Sequence, residues 1–345
     1  MKLVTINPQK STTMGGVETL IRSLHGLFQC ENYELYEHSP SSEHYPESGH
    51  INYIQYGQPG KLASKLSQIS SVRNLHLSSQ DVVILFHPND LLYLPSEVQK
   101  KAKIVLVQTN KFSVFFKPFS KLVMTLLHRK VDVFTVYTEQ DKHALSGLFP
   151  KLARKIKVIP RGCKLDTANT HKQVSKKLVT IARIDEGQKN FSGMMDIMAK
   201  LPAGYHLDIY GDGSEQELSA LKQRVSQLSN VTFQGATSDV AATLKNYAVF
   251  LMTSRYEGFG QTLIEARSQG LPIIAYHTFD ALAWIVEEGV NGYKIDDGDS
   301  EQFAQRIIQL CENEQLYSLL STKALDKAQE TESSVVNRLW QEAVA

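Results

Sequence analysis

A chain of 345 residues with 42% hydrophobic and 21% charged side chains is globular and long enough for two domains of ordinary size. A net charge of +1 argues against a general nucleic-acid binder, and three scattered cysteines, Cys30, Cys163 and Cys311, argue against a disulfide framework or a Cys-type zinc site. The start MKLVTINPQK holds no apolar signal segment, and no run nears the roughly 20 apolar residues of a membrane span, so a cytoplasmic protein is expected.

KLVTIN (2–7) reads as a buried strand closed by Pro8, and GGVETLIRSLHGLF follows with Val17, Leu20, Ile21, Leu24 and Leu27 at helical spacing. A strand, glycines and a helix form the phosphate-approach geometry of nucleotide-binding α/β folds. Gly15 and Gly16 alone could equally be a tight turn for helix packing. Further strands are expected at YELYEH, INYIQY, DVVILFH (81–87), KIVLVQT (103–109), VDVFTVYT (131–138) and KIKVIPRG (155–162). KLASKLSQISSV and a segment from about Glu139 read as helices. Strands apolar throughout and separated by helices indicate a parallel sheet covered on both faces.

Within this half, NKFSVFFKPFSKLVMTLLHRKVD (110–132) alternates Lys111, Lys117, Lys121, Arg129 and Lys130 with Phe112, Phe115, Phe116, Phe119, Leu122 and Leu126. It carries no acid before Asp132. The pattern suits a basic amphipathic element over 110–130 on an anionic membrane surface, or a helix packed on its own sheet. No wide basic groove with stacking aromatics is present, so nucleic acid is not an expected partner.

A polar segment, CKLDTANTHKQVSKK (163–177), is the expected linker. A second series follows: strand LVTIAR, helix NFSGMMDIMAKL, strand YHLDIYGDG, helix SEQELSALKQRVSQL, strand VTFQG, helix DVAATLKNY and strand VFLMTS. Arg183 and Lys189, in IARIDEGQKN, lie after the first of these strands, where α/β folds bind ligands. An arginine fork and a lysine point charge there suit a diphosphate; a solvated basic loop is the plainer reading.

The stretch SRYEGFGQTLIEARSQGLPIIA (254–275) sets Glu257 and Glu265 eight positions apart around Gly258–Phe259–Gly260. Glycines at both ends of that hinge break a helix, which places Glu257 on a loop and Glu265 on a helix from about Gln261 to Ser268. Gly270 ends that helix and Leu271–Pro272 leads into a strand. The helix start leaves backbone N–H groups at Gln261, Thr262 and Leu263 available to an anion. The tail SSVVNRLWQEAVA reads as a last helix that braces the first domain.

Together GGVETLIRSL, ARIDEGQKN, YGDGSEQELSAL, VTFQG, TSRYEGFGQTLIEARSQGLPIIA and EEGVNGYKI give the chain a resemblance to glycosyltransferase family 4, most densely from Lys177 to Ile295. The resemblance implies an α/β protein of the GT-B fold: two Rossmann-like domains facing across a cleft, the last helix crossing back. Residues 1–164, with 331–345 packed on them, would be the acceptor-side domain, and 175–330 the donor-binding domain. It implies a retaining, metal-independent hexosyltransferase without a cofactor, taking a nucleotide-sugar, UDP-linked, as donor. Glu257 would approach the donor sugar hydroxyls, Glu265 would accept from the ribose, and Arg183 and Lys189 would neutralise the diphosphate. Gln261, Thr262 and Leu263 would offer amides beside the Gly258–Phe259–Gly260 hinge. Gly15 and Gly16 would let the first domain close over the phosphates, and the base would lie near Phe233–Gly235.

One departure stands out, because many members of that family carry a histidine where KIVLVQTN places Gln108, which is expected at the catalytic position as a neutral hydrogen-bonding replacement. His87 at a neighbouring strand end is either a partial substitute or a structural residue, and Asn110 and Arg161 are further acceptor-side candidates. The short chain points to bacterial surface-glycan assembly (capsule, lipopolysaccharide or teichoic acid) with a saccharide, lipid-linked or polyol-phosphate acceptor, at the inner face of the membrane. Two carboxylates also occur in glycoside hydrolases, but the cationic pair would then lack a role. The alternative from another class is a noncatalytic nucleotide-sugar-binding partner subunit of a glycosyltransferase complex.

Overall fold

Four-residue runs such as VVIL, VFTV and VFLM are buried along their whole length, because both faces of the sheet they enter are covered. The computed structural model describes residues 1–13, 15–39, 44–170 and 172–345. It divides into two units, Met1–Pro160 with Asn337–Ala345, and Arg161–Val336.

The first unit holds a seven-stranded parallel sheet of β1 (Lys2–Gln9), β2 (Glu31–His38), β3 (Ile51–Gln55), β4 (Val82–Leu85), β5 (Lys103–Val107), β6 (Val133–Val136) and β7 (Ile156–Val158). Their order is β3-β2-β1-β4-β5-β6-β7. β1 does not stop at Pro8, as its sequence suggests; it continues to Gln9, with Asn7 facing Tyr36 and Gln9 facing His38. Proline lacks only its own N–H, and the flanking residues keep the ladder.

The second unit holds a six-stranded parallel sheet of β8 (Lys177–Ile181), β9 (His206–Tyr210), β10 (Val231–Gly235), β11 (Val249–Met252), β12 (Ile273–Tyr276) and β13 (Gly292–Ile295). The order β10-β9-β8-β11-β12-β13 reverses direction between β8 and β11. Loops leaving the carboxyl ends of those two strands therefore start at the reversal of strand order, the usual ligand position in such sheets. The helix Ser300–Glu312 covers one face with Phe303, Ala304, Ile307, Leu310 and Cys311, the stripe a 3.6-residue period produces. Full burial of side chains such as Phe303 and Ile307 stabilises by about 1.5–3 kcal/mol each.

The polar stretch expected as a linker is fastened to the second unit: Cys163 N–H donates to Thr331 O at 2.7 Å, Ala168 N–H to Ser268 O at 2.8 Å and Lys172 N–H to Ser321 Oγ at 2.8 Å. Its polarity reflects surface position rather than freedom. His171 of that stretch lies outside the described residues. The last helix, Ser333–Val344, begins in the second unit, and its residues from Asn337 belong to the first, where Lys103 Nζ donates to Val344 O at 3.2 Å.

Candidate functional site

Ala182–Lys189 leaves the end of β8, and Thr253–Gly260 leaves the end of β11. β8 and β11 are hydrogen-bonded neighbours, so the two loops start side by side at the reversal of strand order. Thr253 Oγ1 donates to the carbonyls of Lys189 and Asn190, both at 3.0 Å, and Arg255 N–H donates to Gln188 O at 2.8 Å. Asn190 is left-handed, with φ of 56°, and the Arg255 guanidinium donates to its Oδ1 at 2.7 Å. These bonds turn two loops into one rigid platform.

On that platform Lys189 Nζ lies 2.5 Å from Glu257 Oε1, and Ser254 Oγ donates to the same oxygen at 2.8 Å. Glu257 is 9% exposed, so the ion pair sits where water screens it weakly. Arg183 stands at the rim, its NH2 group 3.1 Å from Asp185 Oδ2 and 2.9 Å from Gln188 Oε1. Two cations and a carboxylate thus converge, as their positions after adjacent strands require.

YGDG explains how Arg183 is held. Gly211 N–H donates to Gly235 O of β10 at 2.9 Å, while the bonds from Ala182 N–H to Tyr210 O at 3.0 Å and from Ile184 N–H to Asp212 O at 2.7 Å extend the β8–β9 pairing past Arg183. A Cβ on Gly211 would lie 1.8 Å from Ala182 O, so only glycine permits this approach.

The helix Gln261–Ser268 begins at Gly260, which has φ of 97° and no capping side chain. Leu263 N–H turns back to Gly260 O at 3.0 Å. The first-turn amides of Gln261 and Thr262 carry the positive end of the helix. One turn further, Gln261 Nε2 bridges Gly162 O at 3.0 Å and Glu265 Oε1 at 3.5 Å. Burial pushes the Glu265 carboxyl up to about 7, against the smaller opposing pull of Gln261 and Lys164, although an edge of the side chain remains in solvent. The same helix is anchored from within by Arg267, wholly buried, whose guanidinium donates to Ile285 O at 3.3 Å and Thr331 Oγ1 at 3.1 Å. Burial lowers its pKa to about 10, which still leaves it charged at neutral pH. Phe259 turns inward, 6.0 Å from the Trp284 ring, and secures the hinge between Gly258 and Gly260.

The structure therefore brings Arg183, Lys189 and Glu257 together and sets Glu265 and the Gln261 and Thr262 amides on the adjoining helix, whereas the Leu263 amide expected beside them is spent on Gly260 O. Gly235, with φ of 79°, ends β10 beside β9. Gln188 and Ser254, which hold Glu257, were not singled out from the sequence. They are polar residues beside sequence-singled ones, and only the fold shows which way they bond.

Gln108, the acceptor-side candidates and the first glycines have other surroundings. Gln108 is buried; its Nε2 donates to Asn110 O at 3.3 Å and Asp141 Oδ1 at 3.2 Å, while its Oε1 accepts from Tyr137 N–H at 3.4 Å. Asp141 is the partner of Thr138 in the capping box of the helix Glu139–Leu148. The carboxamide is thus committed to a helix start, at odds with a part in the reaction itself. His87 Nδ1 accepts from Asn89 N–H at 3.2 Å and caps the turn Pro88–Tyr93, and burial, with Lys65 and Lys117, lowers its pKa. Asn110 Oδ1 accepts from Lys111 N–H at 2.8 Å, and Arg161 is buried at the first position of the second unit. At the helix Gly16–Leu27 the Glu18 carboxylate folds over Gly15, Oε2 standing 2.0 Å from where a Cβ would be, and Asn7 Nδ2 donates to its Oε1 at 3.0 Å. Gly15 already faces an acid of its own chain. Among the described residues no group of three His, Cys, Asp or Glu side chains is placed to hold a metal ion.

Residues 175–313 match the family model described as glycosyl transferases group 1. The chain is 23% identical over 343 residues to the amylovoran biosynthesis glycosyltransferase AmsD of Erwinia amylovora, covering 94% of this chain and 95% of that one. It is 30% identical over 264 residues to the GtfA subunit of the UDP-N-acetylglucosamine–peptide N-acetylglucosaminyltransferase of Streptococcus gordonii, 68% of this chain but only 51% of that protein's length. Among solved structures, Anabaena HepE in complex with UDP superposes with a TM-score of 0.80 at 19% identity, over 99% of both chains. The fold is GT-B.

Proposed function

We propose that this chain, whose residues 175–313 form a group 1 glycosyl transferase domain, moves a hexose or N-acetylhexosamine from a UDP-sugar to a saccharide, lipid-linked or polyol-phosphate acceptor in bacterial surface-glycan synthesis. The observation that carries this is the convergence of Arg183, Lys189 and Glu257 where strand order reverses, beside the uncapped helix start at Gly260. A sugar bonded to a diphosphate needs cations at one end and a hydroxyl acceptor at the other, and this site offers both. AmsD supports the surface-glycan assignment, and the UDP bound to HepE supports the nucleotide.

In the reaction the bond from sugar C1 to the phosphate oxygen breaks and the acceptor oxygen bonds to C1 on the same face. The acceptor proton passes to the departing phosphate. Negative charge grows on that phosphate, so Arg183, Lys189 and the helix amides, already fixed in place, lower the barrier. They supply the charge a metal would supply elsewhere, which is why metal independence belongs to this reading. Glu257 orients the sugar through its hydroxyls, and Glu265 accepts from the ribose. His87, Asn110 and Arg161 are proposed for the acceptor.

The first unit adds a route to lipid-linked acceptors. On the helix Pro118–Leu127 the side chains of Val123 and Met124 are buried, while Phe119, Leu122 and Leu126 are 57%, 54% and 69% exposed. Lys117 and Lys121 flank that stripe. An apolar stripe bordered by cations matches an anionic bilayer surface. Among the described residues no helix is long and apolar enough to cross a membrane.

The purified protein, incubated with a saccharide or polyol-phosphate acceptor and UDP-glucose, UDP-galactose or UDP-N-acetylglucosamine in the presence of a chelator, is expected to release UDP from one of them, with an α-linked product by NMR. UDP-sugar binding without release or transfer would instead favour the noncatalytic partner subunit.

A further inference from the structure

We infer that Gln188 is a positioning residue that couples the diphosphate end of this site to its sugar end, an inference that rests on the donor reading above. Its side-chain carboxamide spans the two. Oε1 accepts from Arg183 NH2 at 2.9 Å, while Nε2 donates to Tyr256 O at 3.1 Å and reaches Glu257 Oε2 at 3.4 Å. Arginine offers only donors and a carboxylate only acceptors, so a group between them must accept at one end and donate at the other. A neutral amide does this without adding charge.

Lone pairs on Glu257 show what the bridge controls. An ionised carboxylate has about four acceptor positions. Lys189 and Ser254 both bond Oε1, and Gln188 takes one position on Oε2. The remaining position lies on Oε2, the oxygen that Gln188 orients. A sugar hydroxyl bonding there meets a carboxylate whose rotation is set by the residue that also holds Arg183. Once a diphosphate fixes Arg183, Gln188 is fixed with it, and Glu257 presents Oε2 to the sugar at less cost in lost motion. Recognition of the phosphates and of one hydroxyl configuration thereby become linked.

The backbone of Gln188 is held separately from its side chain. Its N–H donates to Asp185 Oδ1 at 3.1 Å and its carbonyl accepts from Arg255 N–H at 2.8 Å. Replacing the carboxamide therefore leaves the loop in place. That separates a coupling role from simple bracing.

The test compares dissociation constants for UDP, UDP-glucose, UDP-galactose and UDP-N-acetylglucosamine in the wild type, Gln188→Leu and Gln188→Glu, by calorimetry. Gln188→Leu is expected to keep UDP affinity within about threefold and to lose about tenfold of the extra affinity that the preferred sugar adds, the loss of one hydrogen-bonded link to a charged group. Gln188→Glu, which keeps the Arg183 contact but faces Glu257 with like charge, is expected to lose at least as much. The ratio of UDP to UDP-sugar affinity is the decisive readout, because bracing alone would move both constants together or neither. A ratio unchanged in both variants, or a parallel fall for UDP and UDP-sugar, overturns the inference and leaves the donor reading intact. Failure of the wild type to bind UDP or any of the three UDP-sugars overturns both.

Discussion

Lys189 Nζ and Glu257 Oε1 are 2.5 Å apart although 68 positions separate the residues in the chain, because their loops leave neighbouring parallel strands on either side of the reversal in strand order. Both side chains are nearly buried, so removing one partner strands the other charge. Lys189→Met is expected to cost about 3 kcal/mol in urea unfolding and to lower transfer at least about a hundredfold. The double substitution Lys189→Met, Glu257→Gln is expected to recover most of the stability and none of the activity. Full activity in Lys189→Met would remove the lysine from the donor site.

Glu265 carries a pH signature. Its folded carboxyl is raised to about 7 by burial, above the ordinary glutamate value, so its stabilising effect is complete below about pH 4.3 and is lost as pH rises through 7. Glu265→Gln is therefore expected to unfold at a higher temperature than the wild type at pH 8 and to show a flatter stability profile between pH 5 and 8. In the proposed donor site ribose hydroxyls donate to the ionised form, so wild-type UDP affinity is expected to rise from pH 6 to pH 8 more steeply than that of Glu265→Gln, in which only UDP's own phosphate titrates. A calorimetric titration at three pH values checks both the sign and the residue.

The two glycine approaches are separable by substitution. At Gly211 an added Cβ meets the Ala182 carbonyl, which is backbone and cannot swing aside, so Gly211→Ala is expected to destabilise by about 1–3 kcal/mol and to displace Arg183. At Gly260 the conformation itself, φ of 97°, is the obstacle, and a Cβ would also lie 3.1 Å from Leu263 Cδ1. Gly260→Ala is expected to cost about 1–2 kcal/mol and to weaken UDP binding through the misplaced helix start. Thermal melts and UDP titration on the two variants distinguish these effects.

Much of this organisation is legible along the chain because it is local. The helix Gln261–Ser268 follows from glycines on both sides, and the strand VTFQG falls at Val231–Gly235 in sequence and structure alike. Arg183, Lys189 and Glu257 could be picked out as charges placed after apolar strands. What escaped notice depends on partners far away. Gln108 reads as a stand-in for a histidine, and no local pattern shows that Asp141, 33 positions on, holds its carboxamide. Gln188 gave no signal, since a glutamine in a polar loop is ordinary and its bonds run to Glu257, 69 positions away. The stretch 163–177 read as a spacer because composition reports solvent exposure and not which surface the backbone is bonded to.

The helix Pro118–Leu127 yields the remaining prediction. A helix packed on its own sheet needs one apolar face, and Val123 and Met124 fill that need. Phe119, Leu122 and Leu126 lie on the outward side and are left in water by the first unit itself. Burying each in a membrane interface would return about 1.5–3 kcal/mol at most, and Lys117 and Lys121 would each add about 1 kcal/mol near anionic lipid. The protein is therefore expected to sediment with vesicles of mixed anionic and neutral lipid at low salt and to be released as salt rises. The triple substitution Phe119→Ser, Leu122→Ser, Leu126→Ser is expected to abolish sedimentation while leaving UDP affinity unchanged, because none of the three touches the donor residues. Equal sedimentation of the triple variant and the wild type would show that these side chains do not contact lipid.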